Sequence, residues 1–406
     1  MVSKKKGNNN NNKKKKNGGN NKNADKVARK ELESIRLAMK RLDGALLQDL
    51  VVQSPETLSH WRVVPEDIVM ANDMLQGGAQ LIHGTATKFT LISRLDLTEG
   101  VSLGQDLLKG CQHVSTSAMI VCGTNKTESR TTGGGSSLSL QKSYQHHCRA
   151  IVLSCLQLLD TILLPPNANA MQAPPRTGAV WSACDKIQQV PKSNRAAMRR
   201  DMLIWMKECN ETIEEFQEAL QENPQQQQEE GADHDDDDNE EGDVTWDGFL
   251  QGEGSGYQPF EVPVVEAALS IIKCSRGSVN VALGACECVG ALAEKEDEEQ
   301  SEDTGPSRLL KWIGDLHDMA RGVGDNMTNV GTALYSPLVL EELQSVASLQ
   351  TDRIVELHTF VLESNPNLAA RLDAGIRELS NNVRDAAQKR FQQLQDAIRQ
   401  APQNQP

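Results

Sequence analysis

Three consecutive residues, His146, His147 and Cys148, place candidate bases beside a candidate nucleophile. A cysteine next to a histidine can be activated as a thiolate for covalent catalysis. In this sequence, however, Cys148 falls on an apolar stripe of helical spacing that runs from Tyr144 to Ile162, and both histidines lie off that stripe. The pattern therefore predicts a core cysteine flanked by two surface or edge histidines rather than a catalytic pair.

Other clusters that could bind a metal or a phosphate lack the partners such sites need. Cys286-x-Cys288 has no second ligand pair for zinc, and a spacing of two points the side chains apart on a helix. The glycines at 133–135 follow no strand and precede no Gly-Lys-Ser/Thr, so they predict a flexible connector. His234 beside Asp235–Asp238 is typical of a solvated charge run. We therefore expect no catalytic residue, no cofactor and no metal, and a protein that is not an enzyme.

The composition favours helices. Aromatic residues make up only 3 % of the 406 residues, which argues against a β-rich fold, and good helix formers are plentiful. The net charge of −14 disfavours direct nucleic-acid binding. The N-terminal residues lack the apolar core of a signal peptide, and the most apolar run, 150–164, is too short and too polar to span a bilayer. With its nine cysteines expected as free thiols, the sequence predicts a soluble protein of a reducing compartment that does not bind membranes.

Helical periodicity runs through most of the chain. Apolar residues recur in alternating steps of four and three, as in Ala28, Leu32, Ile35, Met39, Leu42 and Leu46. This spacing predicts five helical segments before residue 223 and four after residue 258. The prolines and asparagines of 165–178 predict a loop. Pro191 predicts a break, after which Ser193 or Asn194 caps a new helix.

These segments predict an all-α fold of two antiparallel helical bundles joined by a disordered acidic linker. The expected order is a disordered Lys/Asn-rich tail over 1–23, an N-terminal five-helix bundle over 24–222, the linker over 223–258, a C-terminal four-helix bundle over 259–400 and a disordered tail over 401–406.

The helix predicted over 194–222 has an unusual order of charges. Arginines lie near its N-terminus and glutamates crowd its C-terminal half; the candidate partner-binding residues are Arg195, Arg199, Arg200, Glu208, Glu211 and Glu215. The helix dipole favours the opposite order by about 0.3–1 kcal/mol for each well-placed charge. Either core packing overrides this cost, or the charges face a partner. Trp181 and Trp205, which bracket the break at Pro191, fit core positions.

The stretch from Val180 to Glu218 resembles the cyclin-D-interacting protein family (GCIP-like). The shared features are a Trp-x-Ala-Cys turn, a Pro-x-x-Asn restart and a following acidic helix, represented here by Trp181, Ala183, Cys184, Pro191, Asn194 and the glutamates to Glu218. The segment 101–121 is similar in character, and an acidic linker before a C-terminal helical half also matches. The Lys/Asn tail and the glutamine runs depart from the family pattern.

The resemblance implies an all-helical, two-domain protein without enzymatic activity, whose bundles look like those of vinculin, talin and α-catenin. It implies D-type cyclins and helix-loop-helix regulators as protein partners, restraint of the cell cycle and of transcription, and a location in cytoplasm and nucleus. We hypothesise that a partner's amphipathic helix docks in a groove between bundle helices. The alternative is a cytoskeletal adaptor of the vinculin and talin type.

Overall fold

The computed structural model of the protein describes residues 13–48, 58, 60–62, 64–93, 96–122, 135–164, 166–221, 256–299 and 306–402. Side-chain surroundings are described from residue 23 onward, except at 48, 165–171, 296–299 and 306–307. The expectations for residues 1–12, for most of the acidic linker and for the last four residues therefore lie outside the described residues.

The described residues form helices and connections, without a β-strand, which confirms the all-α prediction. The helices are α1 (Lys13–Gln48), α2 (Glu66–Ser93), α3 (Leu97–Val121), α4 (Leu138–Ile162), α5 (Pro166–Asp185), a 3₁₀ turn (Lys186–Gln189), α6 (Asn194–Gln221), α7 (Glu261–Glu299), α8 (Pro306–Thr332), α9 (Leu340–Glu363), α10 (Pro366–Arg371) and α11 (Ala374–Gln400). None of them combines the length and the apolarity that a membrane crossing requires.

Two helices begin earlier than the sequence indicated. α1 begins at Lys13, inside the expected tail. α5 begins at Pro166 and contains Pro174 and Pro175, so the loop expected over 165–178 is wrong. α5 nevertheless packs against α2, where the hydroxyl of Thr177 lies 2.6 Å from the hydroxyl of Thr90.

The chain forms two compact units, Met1–Ala197 and Met198–Pro406. The division falls inside α6. The N-terminal bundle predicted over 24–222 includes the whole of this helix. The first unit thus contains α1–α5, and the second contains the rest of α6 with α7–α11.

In the first unit, polar clamps hold α1 antiparallel to α4. Arg36 pairs with Asp160, and Arg149 lies 3.1 Å from Asp43, so moving forward along α1 means moving backward along α4. Between the helices lies a continuous apolar core whose fully buried members include Leu32, Met39, Leu75, Ile82, Phe89, Leu107, Ile151 and Leu158. Of these, Leu32, Met39, Ile151 and Leu158 are positions that the four-three spacing placed on the inner faces of α1 and α4.

The second unit contains a polar network within its apolar core. The amide nitrogen of Gln350 donates to Ser275 Oγ at 2.8 Å and to the carbonyl of Val323 at 2.9 Å, and its oxygen accepts from Asn326 at 2.9 Å. The network thereby connects α7, α8 and α9. Because one-residue slips would break these bonds, the network fixes the register of the three helices.

Candidate partner-binding surface

α6 begins where the sequence predicted a new helix after Pro191. Between the cap alternatives, the structure selects Ser193, whose hydroxyl accepts from the backbone N–H of Ala196 at 3.2 Å. Asn194 has another role: its side chain accepts from the N–H of Ser137 at 2.6 Å and donates to the carbonyls of Gly135 and His60. These bonds fix the start of α6 within the first unit.

The inner face of α6 follows four-three spacing. Its buried residues are Met198, Met202, Cys209, Ile213 and Phe216. Trp205 lies against the backbone of α8, where a Cβ on Gly324 would be only 2.7 Å from the indole. The core position predicted for Trp181 is wrong: its side chain is 37 % exposed and stacks on His83, with ring centroids 5.8 Å apart. The adjacent Val180 and Cys184 are buried, which turns Trp181 to the edge of α5.

The candidate arginines all interact with residues of the chain. Arg199 lies 3.3 Å from Glu287 of α7, and Arg200 lies 3.7 Å from Asp201. The backbone N–H of Arg195 donates to the carbonyl of Trp61 at 3.1 Å. At least part of the unusual arginine placement is therefore explained by packing within the protein.

The candidate glutamates have fewer oppositely charged partners than the candidate arginines. Glu211 pairs with Lys207 at 3.0 Å, and Glu215 accepts a hydrogen bond from the hydroxyl of Tyr335 at 2.6 Å. Partial burial, followed by the nearby carboxylates of Glu211 and Asp325, raises the pKa of Glu208. Within the described part of the chain, Glu208 has no ion-pair partner, and neither have the neighbouring Glu214 and Glu218.

These glutamates share one side of α6 with two exposed apolar residues, Leu203 (44 % exposed) and Ile204 (43 %). At about 100° per residue, the set spans about 140° of the helix, opposite the buried stripe. We call it the α6 outer face: Leu203, Ile204, Lys207, Glu208, Glu211, Glu214, Glu215 and Glu218. An apolar end followed by an anionic end suits a partner with apolar and cationic side chains.

The clusters considered for catalysis have structural roles where they are described. Cys148 is fully buried 3.6 Å from Ser117, and burial raises the pKa of its thiol to about 12, so the prediction of a core cysteine is confirmed. Cys286 is buried, whereas the thiol of Cys288 lies near the carbonyl of Arg371. Among the described residues, no three His, Cys, Asp or Glu side chains are placed to hold a metal ion. His234 with its aspartates lies outside those residues, as do Gly133 and Gly134.

Fold and surface together define an all-helical bundle protein with a charged, exposed helix face. Residues 74–222 match the family described as "Grap2 and cyclin-D-interacting, N-terminal". The resemblance to the cyclin-D-interacting protein family, drawn from residues 180–218, is therefore confirmed.

Two relatives show the same similarity. One is "Cyclin-D1-binding protein 1 homolog" of Danio rerio, 25 % identical over 207 residues, which are 50 % of this chain and 53 % of the relative. The other has the same name in Xenopus laevis and is 22 % identical over 202 residues, which are 50 % of this chain and 54 % of the relative. The matched region thus spans about half the length of these curated relatives.

Proposed function

We propose that this chain is a non-enzymatic interaction protein that binds a D-type cyclin through the α6 outer face. The observation that carries the proposal is the position of α6: the whole helix, Asn194–Gln221, lies within the region 74–222 that matches the cyclin-D-interacting family. The names of the two relatives support the same partner. The proposal extends to helix-loop-helix regulators, to restraint of the cell cycle and of transcription, and to a location in nucleus and cytoplasm.

The chemistry of the α6 outer face supports docking of a partner's amphipathic helix. Leu203 and Ile204 offer apolar area that a partner can remove from water, at roughly 25 cal/mol for each Å² buried. Glu208, Glu214 and Glu218 offer carboxylates for lysine or arginine side chains on the flanks of the partner helix. Such charges increase the association rate and select the orientation, while the apolar end holds the complex together.

Binding of the full chain to immobilised D-type cyclin and to helix-loop-helix baits tests this function. The variant Glu208→Lys, Glu211→Lys, Glu214→Lys places three cations on the outer face. We expect it to weaken cyclin binding at least about tenfold, or roughly 1.4 kcal/mol. The matched control is Glu341→Lys, Glu342→Lys, Glu378→Lys, which changes the net charge equally at exposed positions on α9 and α11 and should leave binding intact.

Two results would contradict the proposal. The first is that neither cyclin nor helix-loop-helix bait binds, while the chain co-sediments with actin filaments as a cytoskeletal adaptor would. The second is equal binding by the outer-face variant and the control. Charge reversal at Arg195, Arg199 and Arg200 is a weaker test, because it also removes the ion pair with Glu287. Its effect on binding must be compared with its effect on stability.

A further inference from the structure

A groove between α8 and α9 of the second unit lies outside the region that matches the family. Two overlapping cavities of about 490 and 600 Å³ form it and share Met319, Glu356 and Phe360. Its apolar floor consists of Met319, Val355 and Phe360, and the ring of Phe360 stacks on Trp312 with centroids 5.3 Å apart. The floor is therefore held in place by the core beneath it.

The walls of this α8–α9 groove are anionic. Five carboxylates line it against one guanidinium: Asp315, Asp318, Asp352, Glu356 and Glu363 against Arg353. Arg353 is already held by the carbonyl of Gly322. Asp318 pairs with Arg321, Asp315 with Lys311 and Glu363 with Arg384.

Two of the carboxylates differ from the rest. Asp352 and Glu356 are both exposed and lie one helical turn apart on α9, on the same wall of the groove. Among the described residues, neither has an ion-pair partner. Each therefore offers an unneutralised anion above the apolar floor.

We propose that the α8–α9 groove binds an amphipathic helix whose apolar side chains rest on Met319 and Phe360 and whose flanking lysines or arginines meet Asp352 and Glu356. Along α9 the groove extends from Asp352 to Ser364, about 18 Å at 1.5 Å per residue, which accommodates three turns of a partner helix. The thioether of Met319 adapts to different apolar side chains, and the face of an aromatic ring such as that of Phe360 attracts cations.

Charge decides which amphipathic helix fits. A helix with acidic flanks would bring carboxylates against Asp352 and Glu356, and like-charge contacts disfavour such a complex. A helix with basic flanks gains charge-assisted hydrogen bonds at the same positions. This surface is separate from the α6 outer face and does not depend on cyclin binding.

A fluorescein-labelled 14-residue peptide of leucine and lysine, with leucines at helical spacing, is the probe. Its binding to the full chain is measured by fluorescence anisotropy. We expect saturable binding, which is lost when the same residues are shuffled so that no apolar face forms, and lost when glutamate replaces lysine. In the variant Asp352→Asn, Glu356→Gln we expect affinity to fall about five- to tenfold. The control Glu341→Gln, Glu342→Gln on the same helix removes the same charge away from the groove and should have little effect.

A second measurement locates the peptide. The methyl signal of Met319, assigned through Met319→Leu, should shift during titration, whereas the signals of the buried Met202 and Met327 should not. Thr359→Lys, which adds a cation and bulk inside the groove, should abolish binding, and Leu349→Lys, on an exposed part of α9 outside the groove, should not. Equal loss in the Asp352/Glu356 variant and its control, or a silent Met319 methyl, would overturn the proposal. Loss of cyclin binding alone would leave it standing.

Discussion

Gly78 and Gly110 bring the backbones of α2 and α3 into direct contact. A Cβ on Gly78 would lie 2.9 Å from the carbonyl oxygen of Gly110, and a Cβ on Gly110 would lie 3.0 Å from the carbonyl oxygen of Gly78. The relationship is thus reciprocal, and any side chain at either position would push the helices apart. The absence of a side chain at these two positions permits this close approach.

We expect Gly110→Ala to destabilise the first unit. The new methyl group would meet Ile82 Cγ1 at 2.5 Å and the carbonyl oxygen of Gly78 at 3.0 Å, and overpacking of this kind costs about 1–3 kcal/mol. Native-state hydrogen exchange of the α2 and α3 amides measures the loss for this unit separately. The control is Gly77→Ala, where the methyl group meets nothing within 4 Å and the better helix propensity of alanine should stabilise α2 by up to about 1 kcal/mol. A neutral Gly110→Ala would show that the helices can separate at no cost.

Much of the fold could be predicted from local patterns. Where buried residues recur in four-three steps, as on α1 and α6, the pattern alone identifies the inner face. The pattern failed at Pro174 and Pro175, because a proline disfavours a helix locally, whereas α5 also packs on another helix, as where Thr177 meets Thr90 of α2. The four-three pattern failed at Trp181 for a related reason. Whether Val180 or Trp181 is buried depends on how α5 packs against the neighbouring helix.

The candidate surface was only partly predictable. The order of charges identified α6 as the candidate helix, but it could not show which of its charged residues are paired within the protein. Arg199 pairs with Glu287, which is distant in sequence. Glu214 and Glu218 have no ion-pair partner among the described residues. The α8–α9 groove gave no sequence signal, because its walls come from two helices. An acidic residue next to an apolar one on a single helix, such as Glu356, is equally typical of an ordinary surface.

The Gln350 network makes a stability prediction for the second unit. Gln350→Leu removes the acceptor of Asn326 and the donor to Ser275 at a fully buried site. Leaving buried polar groups without partners costs about 1–3 kcal/mol. We therefore expect the free energy of unfolding, measured by urea denaturation, to fall by an amount in that range. Leu349→Gln, one residue away and 45 % exposed, is the control and should change stability by less than about 0.5 kcal/mol. If the two variants cost the same, the network has no special role.

Glu261 connects the start of α7 to the segment before α9. Its buried carboxylate accepts from the backbone N–H of Gln258 at 2.8 Å and from that of Leu338 at 2.9 Å. Each hydrogen bond to a charged group contributes about 1.5–3 kcal/mol, so Glu261→Ala should lose at least that amount. Hydrogen exchange at the Leu338 amide should accelerate most. Glu266→Ala, at an exposed position of the same helix, should leave that amide unchanged; equal acceleration in both variants would argue against the connection.

His358 is fully buried between two serines, with Nε2 2.9 Å from Ser278 Oγ and Nδ1 2.8 Å from Ser380 Oγ. Ser278 donates its single hydroxyl proton to the carbonyl of Cys274 at 2.9 Å, so it can only accept from the histidine. The imidazole therefore carries its proton on Nε2, and Nδ1 accepts from Ser380. A second proton on Nδ1 would reverse that bond, and Ser380 would have to turn its own proton away and accept inside the core.

The second unit should consequently lose stability in acid. Burial, and then the charge of Arg384, lowers the pKa of His358 from its ordinary 6.5 to about 4. Because the unfolded chain binds the proton more tightly, the stabilisation is complete above pH 6.5, declines as the pH falls towards 4 and is lost below it. The difference amounts to about 3 kcal/mol at 1.36 kcal/mol for each pKa unit.

Urea denaturation between pH 7 and pH 4 measures how stability depends on pH. A carbon-13 NMR titration of the His358 ring measures the pKa of His358 in the folded chain. His358→Gln removes the titrating group while keeping hydrogen-bonding atoms beside Ser278 and Ser380. Its stability should therefore fall less steeply with acid, and the gap between wild type and variant should narrow as the pH decreases. A ring signal that titrates near pH 6.5 in the folded chain would show that His358 accepts the proton without cost, and the acid sensitivity would then have to originate elsewhere.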